Sequence, residues 1–208
     1  MDYIGDSLKK RRSIRKYSSQ KVEGVVIREV LDAARWAPSA HNAQPGRFIV
    51  LADAGLKRGL AEAIAAAWKL DMAKDGVPAE VRENKAATSI ERFTCAPVLI
   101  VACLTMKDMT QYADEQRQNC ERDLTVQSLG AALQNMLLAA HGQGLGACWF
   151  SAPSFCRDTV RKVLKVPVDV EPHALIALGY PAETPKAPSR KPVESYSYSE
   201  FWGKKLSG

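Results

Sequence analysis

The sequence predicts an α+β fold, and two observations carry the prediction. Several strands are separated by long helices and no internal repeat orders them, which favours an α+β over an α/β domain. The composition, 46% apolar and 25% charged, is that of a globular chain and excludes disordered, collagen-like and coiled-coil readings. At 208 residues the chain suits a single domain, 1–208, that buries its core without disulfides or a structural metal.

The elements follow in order. Segment 24–37 carries Ile27, Val30, Leu31 and Ala34 at helical spacing, and Pro38 ends it by pushing its predecessor out of the helical region. Arg47–Ala52 is rich in Phe, Ile and Val and reads as a strand. Gly55–Lys69 is an Ala-rich helix, and 71–95 is helical but weakly patterned. Val98–Leu104 is wholly apolar with β-branched residues, the mark of a central strand. Leu124–His141 is the strongest helix, with Leu129, Leu133, Met136, Leu137 and Ala140 on one face and Gly142 as its stop. Leu145–Phe150 reads as a strand, Phe155–Leu164 as a short helix, and His173–Leu178 as a last strand before Gly179-Tyr180-Pro181. The tail, about 183–208, holds three prolines and then Tyr196, Tyr198, Phe201 and Trp202. Four large aromatics need a surface, so the tail should dock on its own body or on a second subunit.

The longest apolar run, Pro97–Leu104, is far below the ~20 residues of a membrane span, and Met1–Arg12 has no signal-like apolar stretch. Five cysteines without a CxxC pair suit a reducing compartment, so a soluble cytoplasmic protein is expected.

The net charge of +6 is concentrated. Residues 9–16, Lys-Lys-Arg-Arg-Ser-Ile-Arg-Lys, hold six bases and no acid, and outside this octet bases and acids balance. A nucleic-acid binder spreads its bases along a stripe; one octet suits a single phosphate better. Gly142-Gln-Gly-Leu-Gly-Ala147 matches the dinucleotide fingerprint, but that motif needs a strand before it and a helix after it. Here the order is inverted, and the glycines fit a helix end and tight turn. His41, His141 and His173 are scattered, with no thiol pair to build a metal site. Glu115, Glu121 and Asp123 fall where solvated helical carboxylates are the norm, and Cys148 reads as a small buried strand residue.

What stands out is polar clusters at element boundaries: Arg11-Arg12-Ser13-Ile14-Arg15, Pro38-Ser39-Ala40-His41-Asn42-Ala43-Gln44-Pro45, and Arg190-Lys191-Pro192. Arginine forks suit phosphate oxygens, and side-chain amides suit the alternating donors and acceptors of a heterocycle. Together they describe a ligand with a phosphate at one end and a polar ring at the other.

At these clusters, and through Arg47-Phe-Ile-Val50, Gly144-Leu-Gly-Ala-Cys-Trp149 and Gly179-Tyr-Pro181, the chain resembles the nitroreductase family of FMN enzymes. Phe155–Arg161 and Gly179–Glu183 are most similar to the subgroup containing the C-terminal domain of the bifunctional deazaflavin glutamyl ligase. The ligase's N-terminal domain has no counterpart here, so glutamyl transfer is not inferred. The resemblance implies a nitroreductase-like fold, a mostly antiparallel sheet flanked by helices, in a two-fold homodimer with FMN at the interface and the tail lying on the partner. By position it implies that Arg11, Arg12 and Arg15 contact the FMN phosphate and ribityl chain, with Ser13 hydrogen-bonding. Pro38, Ser39, His41, Asn42 and Gln44 would line the flavin from the other subunit. The backbone of Cys148, Trp149, Phe150 and Ser151 would approach the ring, and Arg190 would close the phosphate end with Lys191 beside it. Where the family has a large aromatic after Gln-Pro, this chain has Gly46. The space should be occupied by a neighbouring side chain, ordered water or a bulky substrate.

The function implied is an FMN-dependent oxidoreductase. Electrons would pass from a reduced nicotinamide or reduced deazaflavin to a nitro-aromatic, a quinone or a conjugated cofactor precursor, with ping-pong kinetics and no particular catalytic side chain. The alternatives are a flavin-handling protein without turnover and, from the octet alone, a small nucleic-acid binder.

Overall fold

The computed structural model describes residues 3–206; Met1, Asp2, Ser207 and Gly208, the outermost residues of the expected domain and tail, lie outside the described residues. In order the chain forms α1 (Tyr3–Lys10), α2 (Gly24–Arg35), β1 (Gly46–Leu51), α3 (Ala54–Lys74), α4 (Ala79–Thr94) and β2 (Val98–Thr105). It continues with α5 (Glu115–Gly142), β3 (Gly146–Phe150), α6 (Ala152–Phe155), α7 (Arg157–Leu164) and β4 (Val170–Gly179). The strands make one sheet in the order β1-β2-β4-β3, with every neighbouring pair antiparallel. The expected α+β architecture is present.

β2 shows why its sequence is apolar without a break. Val98, Ile100, Ala102 and Leu104 join one core with α2 and α5, and Leu99, Val101 and Cys103 join another with α3, α4 and α7. Both faces of the sheet are covered by helices, so neither set of alternate residues meets water. Leu133 and Met136 of α5 and Leu60 of α3 are fully buried against it. Removing a side chain of this kind costs about 2–5 kcal/mol, so these layers fix where the site residues stand.

Several boundaries differ from the sequence reading, each for a local reason. Helix α5 starts well before Leu124, because the Asp114 carboxylate accepts a hydrogen bond from the Arg117 N–H at 2.9 Å and caps it. At its other end the left-handed residue is Gly144 (φ +73°), not Gly142, which is still helical. The expected helix 155–164 is two helices, separated at Cys156 (φ −141°). Gly76 (φ +73°) divides the 71–95 region between the end of α3 and α4.

The N-terminal segment after α1 is tied to the sheet. Ser13 bridges Ala147 in parallel, the Ile14 N–H donates to the Ala147 carbonyl at 3.1 Å, and Tyr17 bridges Pro181. This covers the free edge of β3 at its N-terminal end. The C-terminal tail, by contrast, leaves Tyr196, Phe201 and Trp202 exposed, Trp202 at 87%. Glu183, at the start of the tail, is held on segment 15–16, and farther along Trp202 stacks on nearby Tyr198, ring centroids 4.5 Å apart.

Candidate functional site

Two corners of the sheet hold most of the sequence-predicted site residues. The basic corner is built by the pairing of segment 13–17 with β3 and β4. Gly146 permits it: a Cβ there would stand 2.7 Å from Ile14, too close for any side chain. Tyr17, its hydroxyl donating to the Ile14 carbonyl at 2.5 Å with the Ala177 carbonyl 3.1 Å away as the alternative acceptor, links the segment to β4. Glu183 caps it from the other side, accepting from the Arg15 N–H at 2.6 Å and the Lys16 N–H at 3.1 Å.

Arg11, Ser13 and Arg15 are thereby gathered beside Cys148. Burial pushes the Cys148 thiol up, while the guanidinium groups of Arg15, Arg92 and Arg11 and the Ser13 hydroxyl act against that. Arg92, from α4, is a member of this corner that the weak pattern of 71–95 concealed. Arg12 is turned away: its guanidinium donates to the carbonyls of Lys9 at 2.6 Å and Arg11 at 2.8 Å, closing the end of α1. Arg190 and Lys191 stand exposed on the tail, without a hydrogen bond or ion pair among the described residues.

Past Ala147 the outer edge of β3 carries no further bridge among the described residues. Trp149 turns toward α5, over Gly130, and Phe150 turns to the opposite face, its ring edge-on to Phe93 with centroids 5.1 Å apart. Beyond Phe150, Ser151 opens into a cavity of about 920 Å³ between α3, α4 and α6. One wall is aromatic, from Trp68, Phe93, Phe150 and Phe155; the other is polar, with Lys85, Thr88 and Arg92. Lys69 and Glu83, 3.1 Å apart, tie α3 to α4. The cavity is also lined by Asp71, paired with Lys74 at 2.9 Å, and by Asp75, while Lys85 and Arg92 have no acidic partner at ion-pair distance among the described residues.

The amide corner is the 38–45 loop before β1. Its backbone is strained: His41, Asn42 and Gln44 all lie at positive φ, between +46° and +55°. Ser39 holds the turn by accepting from the Gln44 N–H at 3.1 Å, and Ser128 of α5 accepts from the Ala40 N–H at 3.1 Å. The Gln44 side-chain amide donates to Asn42 at 3.3 Å. Pro38, His41, Asn42 and Gln44 are exposed. Gly46 is explained here. The Phe48 ring lies 3.2 Å from where a Cβ would stand and so takes up the near side of the space, while Gly46 and Phe48 together border a cavity of about 380 Å³ that reaches Ser39 and Gln44.

Glu121 corrects the sequence reading. It is not a solvated helical carboxylate but a buried one, its Oε1 3.2 Å from His41 Nε2. Helical spacing to Thr125, Ser128 and Ala132, all buried, is the signal that places it inward. A half-buried carboxylate, Glu171, is a further group that the sequence does not single out. Glu171 accepts from both terminal nitrogens of Arg122 at 2.7 Å and lies 3.2 Å from Arg157. The Arg122 hydrogen bonds hold its carboxyl at about 2, well below the usual range.

The two corners are diagonal across the sheet. Gly46 pairs with Leu104, which pairs with Glu171, whereas Ala147 pairs with Leu178. From Leu178 back to Glu171 along β4 is about 24 Å, and three strand spacings add about 14 Å across. One small ligand cannot touch both corners of one chain.

Comparison with known proteins accords with this geometry. The chain matches the model of the nitroreductase family over residues 8–180. It is 34% identical over 194 residues, 89% of this chain and 80% of the relative, to a protein of Methanothermobacter thermautotrophicus provisionally named an NADH dehydrogenase/NAD(P)H nitroreductase. It is 31% identical over 211 residues to the NADH dehydrogenase of Thermus thermophilus, 89% of this chain and 90% of that one. Among solved structures, a BluB-like flavoprotein of Clostridium difficile 630 superposes with a TM-score of 0.80 at 28% identity, covering 94% of this chain and 98% of its own. A provisionally named nitroreductase of Desulfovibrio desulfuricans, solved in complex with FMN, superposes with a TM-score of 0.72 at 28% identity, covering 97% and 98%.

Proposed function

The chain belongs to the nitroreductase family, and from that premise we propose that two copies form an FMN-dependent oxidoreductase with each flavin between them. The observation that carries the reading is the basic corner. Arg11, Ser13 and Arg15 are fixed beside Cys148, and the open edge of β3 leads from there to the aromatic-walled cavity. The residues fit the cofactor: guanidinium groups without acidic partners suit its phosphate, and a strand edge with free backbone groups suits its ring. The amide loop of the second copy completes the site, because its own chain holds it at the far corner. Arg190, Lys191 and the exposed aromatics of the tail reach the partner in the same assembly.

The bound flavin supplies the two-electron transfer. This chain's residues do the rest. Arg11 and Arg15 hold the phosphate, Phe150 and Ser151 border the ring, and Trp68 and Phe155 offer a planar substrate an apolar wall. Lys85 and Arg92, with Thr88 between them, offer hydrogen-bond donors to the acceptor's oxygens, and Asp71 and Asp75 balance their charge. Donor and acceptor use the same cavity in turn, which gives ping-pong kinetics. The donor is a reduced nicotinamide or, from the similarity of 155–161 and 179–183 to the deazaflavin subgroup, a reduced deazaflavin. The acceptor is a nitro-aromatic, a quinone or a conjugated cofactor precursor.

The test is a visible spectrum of the purified protein, followed by anaerobic reduction with NADH, NADPH and reduced deazaflavin in turn. A yellow protein that releases FMN on denaturation and is bleached by one of the donors is expected. A colourless protein that takes up no added FMN overturns the reading, and flavin that no donor reduces points to a carrier without turnover.

A further inference from the structure

The buried carboxylate of Glu121 is not accounted for by packing. Its side chain is 5% exposed, and its Oε2 has neither a hydrogen-bond partner nor contact with solvent. Thr125, one turn on, donates to the Glu121 backbone carbonyl at 2.8 Å rather than to the carboxylate. A leucine would extend the buried stripe of α5 at lower cost, since an ionised carboxylate cut off from water is expensive unless a cation faces it. Among the described residues the one group at ion-pair distance is His41, its Nε2 3.2 Å from Oε1.

His41 in turn is held in a conformation that side chains rarely adopt, φ +55°, with half of its side chain exposed. Its Nε2 faces inward to the carboxylate, which leaves Nδ1 as the ring nitrogen available to the outside. The neighbours on the loop, Ser39 and Asn42, are the residues that the proposed site turns toward the flavin. A carboxylate behind a histidine orients the ring and fixes which nitrogen faces outward.

We propose that His41 and Glu121 form a proton-carrying pair that protonates the acceptor as it is reduced; this rests on the reading of loop 38–45 as part of a flavin site. Converting a quinone to a hydroquinone takes two electrons and two protons. A reduced flavin bound at the site would supply both electrons and one of the protons. The second proton leaves His41 Nδ1: that N–H bond breaks, an O–H bond forms on the acceptor oxygen, and the imidazole is left neutral with its Nε2–H still on Glu121. Solvent returns the proton through the exposed side of the ring. Glu121 is a positioning residue here, and His41 is the group that meets the acceptor.

The experiment compares wild type, Glu121→Gln and Glu121→Leu as holoenzymes. Their substrates are a benzoquinone, which needs the proton, and ferricyanide, which takes one electron and none. The ratio of quinone to ferricyanide turnover should fall by about tenfold or more in both variants, within the range of general acid catalysis. The solvent deuterium isotope effect on the quinone reaction should rise. A second readout needs no flavin: the His41 ring N–H proton should give a slowly exchanging low-field NMR signal in the flavin-free wild type, lost in Glu121→Leu. An unchanged ratio, or absence of the signal from wild type, overturns the pair. Equal losses with both acceptors also overturn proton transfer, because they show that Glu121 only shapes the loop. Failure of the wild type to take up FMN is seen before any variant is made, and it sinks the underlying flavin reading rather than the pair.

Discussion

The two corners of the sheet are built in opposite ways. At the basic corner the backbone is regular: segment 13–17 lies against β3 through ordinary pairing, and glycine at position 146 makes the approach close. At the amide corner three non-glycine residues sit at positive φ, held by side-chain bonds from Ser39, Ser128 and Glu121. Regular pairing aims charge at a fixed point. Strain held by side chains presents amides on a surface that its own chain leaves open. Charged contacts at the first corner should therefore dominate affinity, and neutral ones at the second should tune it.

The largest expected effect is on the support of the amide corner rather than on the ligand. Glu171 lies in register with Leu104 and so with Gly46. Its carboxyl, at about 2 in the folded chain against an ordinary 4.5, is lowered first by its hydrogen bonds to Arg122. Between these values the unfolded chain binds more protons, so stability rises with pH across the window. The contribution is fully present above about pH 4.5 and is lost as pH falls through about 2. Glu171→Gln should cost about 2–3 kcal/mol at pH 7, read from urea midpoints. The difference from wild type should shrink steadily below pH 4.5.

Next comes the phosphate. A hydrogen bond to a charged group contributes about 1.5–3 kcal/mol, so Arg11→Ala or Arg190→Ala should weaken FMN binding about ten- to hundredfold. Asn42→Ala, which removes a neutral contact, should weaken it only about fivefold. Fluorescence titration of FMN into the flavin-free variants ranks the three, and an Asn42 effect as large as that of Arg11 would break the contrast between the corners.

Gly146→Ala tests the regular pairing itself. Its methyl group meets Ile14 and must lift segment 13–17 from β3, at about 1–2 kcal/mol. Thermal unfolding should show that loss, and FMN affinity should fall several-fold although no ligand contact is altered. The smallest change in binding is expected of Gly46→Trp, because the new ring competes first with Phe48. FMN affinity should stay within a few-fold, and stopped-flow rates with one large and one small acceptor should change alike.

How much of this is legible in the sequence depends on how far apart the cooperating residues lie. The unbroken apolar run of β2 and the stripe of α5 announce themselves, because each is set by its own burial. The Arg11–Arg15 cluster is legible as charge, but its pairing with Ala147 is not, since nothing local marks a partner so distant in the chain. The polar wall of α4 defeats pattern reading for a physical reason. It lines a cavity, so only Ala86 and Phe93 of that helix are buried apolar residues. Glu121 was misread because carboxylates on helices usually face water, although its spacing from the buried Thr125 and Ser128 pointed inward.

The central claim is that one site takes its charge from one copy and its amides from another. Mixed dimers test it most directly. A chain carrying Arg11→Ala and Arg15→Ala is co-expressed with a differently tagged chain carrying Ser39→Ala and Asn42→Ala, and FMN is counted in the purified mixed species. The count is made at an FMN concentration low enough that losing both neutral contacts, about 25-fold together, leaves the amide variant as well as the arginine variant with little flavin when alone. If the site crosses the interface, every mixed dimer holds one site with both corners intact, and about one flavin per dimer is predicted. If both corners serve the same chain, each site in the mixed dimer is damaged, and flavin content no higher than in the separate variants would contradict the account.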